Sequence, residues 1–515
     1  MLRSIASIGG LTLVSRFLGL ARDLLTAALL GAGPVADAFF VAFRLPNNFR
    51  ALLAEGAFNA AFVPVFSAGL VAGNRTRARH FAAMIASILI AVQLILLVLF
   101  ELIMPWFMLI FAPGFAADPA KFALAVLFSR ITFPYLLLIS LVSLQGAVLN
   151  SLGRFGAAAA APIFLNLCMI AALVFVTPVV PTAGHALAWG VATAGIAQFL
   201  YLAIEMRRAD MHLHLPWPRL TPEVRRFFKS FGPAALGAGL VQINLFFDTL
   251  IASLLPTGTV SYLNYADRIN QLPLGVIGIA IGTVLLPELS RHLARGAHDA
   301  AAESQNRAIE WSLTLTLPAA IVFLVAPLPI VSGLFQWGAF GAGDAAATAG
   351  ALAAYAAGLP AFVLIKALLP GLYARADTRT PVRIALVAIL VNIGLKLLLM
   401  GPLVQIGVAL ATSCSAWVNA GLLAATLHRR GHWQPDLRLK RRLPRLLLAC
   451  LGLALVLTGG ELLLAAWLHS PFGWQRLAGM TLLLAAGGAV LVLLAFLLRL
   501  ITLGELRGLM RRARG

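Results

Sequence analysis

Arginines and carboxylates crowd a stretch of otherwise apolar sequence, Val14 to Asn59, which reads VSRFLGLARDLLTAALLGAGPVADAFFVAFRLPNNFRALLAEGAFN. Within it lie Arg16, Arg22, Asp23, Asp37, Arg44, Arg50 and Glu55. A charged side chain near the middle of a membrane helix costs about 2.5–3.5 kcal/mol on insertion scales. Several of them in two adjacent helices must line a watered cavity, pair with one another, or await a charged ligand. Arg16 and Asp23 are seven apart and share a helical face, with Arg22 beside it. Asp37, Arg44 and Glu55 form one stripe if the second helix stays regular past Pro46, and Arg50 points elsewhere. Two readings fit: a cationic cavity wall whose carboxylates hold the arginines in place, or an ion-pair network that only locks two spans together. Arginine outnumbers carboxylate, and charges inside a membrane default to function, which favours the first.

These residues must be positioned by membrane helices. The 515 residues are 61% hydrophobic and only 11% charged, against about 25% charged in a soluble domain. The chain is therefore an all-α polytopic membrane protein. Its formal net charge of +20 falls mostly in short loops, so topology explains it better than nucleic-acid binding. Cys168, Cys414 and Cys450 lie in apolar runs with no metal or disulfide spacing. The first apolar run is long, carries Arg16 and Arg22, and is read as a retained span rather than a signal peptide.

A span needs about 20 mostly apolar residues, and about 14 transmembrane helices can be counted. They centre near Leu18, Leu53, Leu94, Leu138, Ile170, Ile196, Leu240, Ile277, Ala319, Leu359, Leu390, Ser415, Leu455 and Leu491. Pro46, Pro134, Pro162, Pro273, Pro287, Pro360 and Pro370 interrupt them and predict kinks where helices line a cavity. Loops after even-numbered spans carry arginine: Arg75, Arg77 and Arg79; Arg154; Arg207 to Arg226; Arg291 and Arg295; Arg375 and Arg379; Arg429 to Arg445. The intervening loops carry no Lys or Arg, which places both termini in the cytoplasm. The tail adds Arg507, Arg511, Arg512 and Arg514.

Weak internal matches recur at similar offsets. Pro134 and Asn166 reappear as Pro360 and Asn392, and Ala36-Asp37 reappears as Ala266-Asp267. They predict two six-helix lobes related by a parallel pseudo-repeat, 1–206 and 222–428. A cytoplasmic linker, 207–221, joins them, and 429–515 appends two C-terminal helices and a basic tail. Two-lobed transporters of this kind bind substrate between the lobes. Asp267 and Arg268 occupy the place in the second half that Asp37 occupies in the first. Arginine suits phosphate because its planar fork makes two parallel charge-assisted bonds. Four arginines from two lobes would suit a diphosphate better than a carboxylate or an amine; the alternative is an interface salt bridge around Asp267.

Asp248 and Asp377 are the candidates to carry a coupling cation or proton, though a lone carboxylate also serves as a neutral structural group. Lys366 and Lys396 either snorkel or line the cavity. The 207–226 segment mixes Leu213, Leu215 and Trp217 with basic residues and reads either as an interfacial strap on anionic lipid or as a plain linker. No Walker A loop, catalytic triad or metal-ligand spacing is present, so an enzyme that hydrolyses ATP is not expected, and no cofactor is required beyond a coupling cation or the membrane potential.

The runs SRFLGLARD, ADAFFVAFRLPN, FRALLAEGAFNAAFVP, APGF, ITFPYLLLISL, YADRINQLPLGVIGIAIGTVLLPELS and PGLYARADTRTPVR resemble the MurJ (MviN) family, the lipid II flippases of the multidrug/oligosaccharidyl-lipid/polysaccharide exporter superfamily. The resemblance covers essentially the whole chain. It implies that Arg16, Arg22, Arg50 and Arg268 are cavity arginines that engage a lipid-linked diphosphate. It implies that Asp23 is the acidic partner on the first span, that Asp37 is a functional acid of the second, and that Asn47 and Glu55 are polar cavity positions. The last two spans would form a groove for the polyprenyl tail. Asp248 matches a proposed sodium-site carboxylate, but the other polar ligands of that site are not evident, with Ile389 and Ile393 nearby. The expected partners are lipid II, membrane lipids and the cell-wall synthesis machinery, and the expected location is the bacterial inner membrane. Rival readings are a drug or cation antiporter, which would show an acidic cavity, an exporter of another polyprenyl-linked glycan, and a non-transporting envelope scaffold.

Overall fold

Apolar sequence with few β-branched runs and prolines near helix starts gives a chain built of helices. A computed structural model describes residues 2–53, 56–71, 75–212 and 214–500. Glu55 and the basic tail after 500 lie outside the described residues. In order the helices are α1 (Leu2–Leu30), α2 (Pro34–Leu53), α3 (Gly56–Val71), α4 (Arg75–Phe111), α5 (Pro119–Thr132), α6 (Tyr135–Ser151), α7 (Phe155–Ala171), α8 (Ala183–Arg208) and α9 (Pro222–Ser253). They continue as α10 (Thr259–Pro273), α11 (Ile279–Ala294), α12 (His298–Val325), α13 (Pro327–Phe335), α14 (Ala342–Ala356), α15 (Leu359–Tyr373), α16 (Arg379–Arg429), α17 (Leu437–Leu463), α18 (Ala465–Leu468) and α19 (Gly473–Leu497).

All fourteen apolar centres fall on helices or at helix joins. Among the described residues, nine stretches are long and apolar enough to cross a membrane. One of them, α16, breaks at Val404 (φ 48°, ψ −124°) into two antiparallel spans. Gly407 permits that hairpin, since a Cβ there would lie 2.3 Å from the Leu399 carbonyl oxygen. With α1, α2–α3, α9 and α10–α11 these account for the fourteen runs. Proline divides spans at Pro134, Pro273 and Pro360, while Pro46, Pro162, Pro287 and Pro370 stay inside helices. Loss of the proline N–H and the ring clash upstream make such breaks. After Pro273 the backbone widens into a π-helical turn, Leu274–Gly278.

Two compact units divide the chain, Met1–Ser261 with Gly338–Phe340 and Tyr262–Trp337 with Gly341–Gly515. In the first, α2 is the central post. Nearly every side chain from Ala36 to Leu45 is buried, because α5, α6, α8 and α9 pack round it, while α7 lies against α1 and α8. Phe58, Phe62 and Phe66 stack along α3 and extend to Phe81 of α4 and Phe227 of α9. The loop arginines are tied down: Arg75, Arg79 and Arg154 donate to the carbonyls of Ala209, Asp210 and Arg208 at the end of α8. There they complement the negative end of the helix dipole.

In the second unit, α17 docks on α12 through a charged knot. Buried Glu310 accepts from Arg307 and Arg442, Arg438 lies 3.3 Å from it, and Arg307 also reaches Asp436. Asp436 caps α17 at the Leu439 N–H, 2.7 Å away. At the other end, buried Arg476 donates to the carbonyls of Ser470, Pro471 and Gln336. Outward-facing leucine, isoleucine and valine on α4, α16, α17 and α19 form the apolar belt of a multi-pass membrane protein, inverted relative to a soluble fold.

Candidate functional site

The α1 charges are organised by α7. Arg22 is buried, and its Nε and Nη2 donate to Oδ1 of Asp23 at 3.1 and 2.6 Å. Its Nη1 donates to Oδ1 of Asn166 at 3.0 Å. Asn166 is oriented in turn by donating its amide to the Ser15 carbonyl at 3.0 Å. The guanidinium is thus held at a fixed angle between a carboxylate on its own helix and an amide on α7. Arg16, a turn and a half earlier on α1, is half-buried and makes no hydrogen bond or ion pair among the described residues. One arginine is fixed and one remains available to an anion.

On α2 the charges separate. Asp37 is fully buried, and its carboxylate is occupied by its own chain. Lys121 Nζ and the Gly258 N–H reach Oδ2, both at 2.8 Å. The Ser261 N–H and Oγ reach Oδ1 at 2.9 and 2.7 Å. Lys121 also lies over the Phe115 ring, 4.1 Å from its centroid. Asp37 stays in register with Arg44 along the continuous helix α2 but takes partners of its own. It fastens α2 to α5 and to the α9–α10 turn, because a buried carboxylate must find donors wherever packing supplies them. Arg44 reaches Thr249 Oγ1 on α9 at 3.4 Å. Asn47 donates to the Phe43 carbonyl at 3.0 Å and accepts from Arg50 Nε at 3.3 Å. Asn47 and Arg50 form their own small pair, and Asp248 adjoins Thr249 on α9.

In the second unit Asp267 accepts from Gln271 one turn on, with Arg268 beside it, half-buried. Asp377 lies in the loop before α16. It accepts from the Thr380 N–H at 3.0 Å and from Arg430 at 2.6 Å, and Arg430 also reaches Thr380 Oγ1. Hydrogen bonds from Thr380, then the Arg430 guanidinium, hold its carboxyl well below the usual carboxylate range. Asp377 is thereby committed to joining the two ends of the α16 hairpin. Its stabilisation is present above the unfolded pKa of about 3.9 and fades as pH falls below it. Asp377→Ala should cost about 1 kcal/mol at pH 7, and the gap in melting temperature from the native protein should narrow towards pH 3. No group of three or more metal-ligating side chains occurs among the described residues.

Sequence reasoning missed two partners. Lys121 was hidden just past an uncharged loop, yet a lysine opening an apolar run calls for a counter-ion. Asn166 signalled only repetition.

The chain is similar to known proteins along almost its whole length. The family profile described as lipid II flippase MurJ matches residues 26–475. A protein of Rhizobium meliloti (strain 1021) named probable lipid II flippase MurJ is 47% identical over 92% of this chain and 88% of its own. The lipid II flippase MurJ of Burkholderia cenocepacia is 36% identical over 96% of each. A structure of lipid II flippase MurJ in an inward closed conformation superposes with a TM-score of 0.81 at 23% identity, covering 96% of this chain and 98% of that one. An inward-facing multidrug resistance transporter of the MATE family and MOP superfamily gives 0.70 at 14% identity, over 81% and 95%. A fixed guanidinium beside an available one within membrane helices, together with these matches, places the chain in the MurJ family of lipid II flippases.

Proposed function

We propose that this protein moves lipid II from the cytoplasmic to the periplasmic leaflet of the inner membrane by alternating access, without ATP hydrolysis. The observation that carries the reading is the continuous match to proteins of that name, at 47% identity over 92% of the chain. Arg16, Arg22, Arg50 and Arg268 act on the diphosphate, Asp23 and Asn47 hold them, and Glu55 contributes a polar position. The tail follows α17 and α19, whose exposed faces carry Leu447, Leu451, Leu455, Leu482, Val492 and Leu493. Both termini lie in the cytoplasm, in keeping with the arginine-rich loops. The two six-span halves, 1–206 and 222–428, rock against each other. Because Asp377 is committed to Thr380 and Arg430, Asp248 is the better candidate for cation coupling, with the membrane potential as the other drive.

The test is replacement of a depleted flippase by Arg16→Ala, Arg22→Ala and Arg268→Ala variants, with membrane levels verified. Each variant should fail to support growth. Growth supported by all three would remove the transport reading and favour a scaffold. Reconstituted flipping of defined polyprenyl-linked donors, with and without the peptide, separates lipid II from other linked glycans.

A further inference from the structure

The face that α15 leaves uncovered is unlike that of the helices around it. On α16, α17 and α19 the exposed large side chains within the spans include Leu386, Leu390, Leu398, Leu455 and Leu493, as lipid requires, while exposed basic residues such as Arg383, Lys440 and Arg441 sit near the helix starts. On α15 the exposed residues are Lys366 and Tyr373 alone. They are seven apart, so they lie on one stripe. The apolar residues of that helix, among them Phe362, Leu364, Ile365 and Leu369, are buried or half-buried in the unit's core. A helix that hides its apolar residues and presents a lysine and a tyrosine faces water rather than acyl chains.

Lys366 is placed against the span that carries Arg268. A Cβ on Gly278, in the π-helical turn between α10 and α11, would lie 3.6 Å from Lys366 Cγ. Along that span Gly278 follows Arg268 by ten residues, a rise of about 15 Å, towards the end where Arg291 and Arg295 lie. Lys366 makes no hydrogen bond or ion pair among the described residues. A strongly hydrated ammonium on a flexible stem, with no internal partner, is suited to meet a mobile anion.

We propose that Lys366 is a second substrate contact of this unit, which receives the anionic headgroup on the basic-loop side of Arg268 before the diphosphate reaches the arginines. The proposal rests on the transport reading above and gives a substrate-binding role to a residue for which the sequence left snorkelling and cavity lining open.

The test uses the full chain with Cys168, Cys414 and Cys450 replaced and flipping confirmed in that background. Lys366→Cys in native membranes should react with a charged, membrane-impermeant thiol reagent, and substrate should slow the reaction. Flipping by Lys366→Cys should fall at least about fivefold. Aminoethyl methanethiosulfonate, which rebuilds a cation of lysine length, should restore most of it. Lys366→Arg should stay near native, and Lys366→Glu should fall further than Lys366→Gln. If Lys366→Cys reacts only with membrane-permeant reagents, or Lys366→Glu flips normally while Arg268→Ala does not, the proposal is overturned and the transport reading stands. If the native chain itself moves no lipid-linked substrate in the same assay, the transport reading fails.

Discussion

Lys121→Met should cost about 3–5 kcal/mol, because it strands the fully buried Asp37 carboxylate without its counter-charge. The three donors from Gly258 and Ser261 remain, so the variant should fold but melt at a clearly lower temperature in detergent. Asp37→Asn alone should also destabilise, by leaving the ammonium of Lys121 buried. The double variant should recover more than half of the summed loss, since a buried pair is worth far less than the penalty for breaking it. Strictly additive losses in a thermal-melt cycle would show that the two side chains are not coupled.

The second large effect is expected on transport. Arg22→Ala removes the charge and its bonds to both Asp23 and Asn166, and charge-assisted bonds contribute about 1.5–3 kcal/mol each. Flipping in proteoliposomes should fall on the order of 100-fold on that scale. Arg22→Lys keeps the charge but not the fork, so it cannot serve Asp23 and Asn166 together. It should recover only part of the rate. Asn166→Ala leaves the charge and frees one side of it, for a loss on the order of tenfold by the same scale. An Asn166→Ala protein as inactive as Arg22→Ala would mean that orientation, not charge, governs the step.

The helices were legible because a membrane demands about 20 apolar residues per crossing, and that demand is written locally. The centre near Ser415 and the centre near Leu390 were separable although α16 runs through both, since Gly401 and Pro402 stand between them. Which prolines break a span was not legible: Pro134 separates α5 from α6 while Pro162 is absorbed into α7. The charge cluster was legible as a cluster, but not its wiring. Arg22 beside Asp23 could be read from adjacency. Asp37 with Lys121 could not, because the two are 84 positions apart and only the packing of α5 on α2 brings them together. The spacing of Asp37 and Arg44 likewise could not tell that Gly258 and Ser261 would take up the Asp37 carboxylate.

The Arg22–Asn166 bond also constrains how the molecule is built. Its two ends are separated by 144 positions, and chains lengthen at roughly 5–20 residues per second, so about 7–30 s separate the synthesis of one end from the other. Through that interval the first helix carries a guanidinium whose amide partner on the fifth span does not yet exist. Asp23, already adjacent, is the one neutralising group available from the start. The order of translation therefore assigns the acid a chaperoning duty towards the arginine, discharged when α7 arrives and seats against α1.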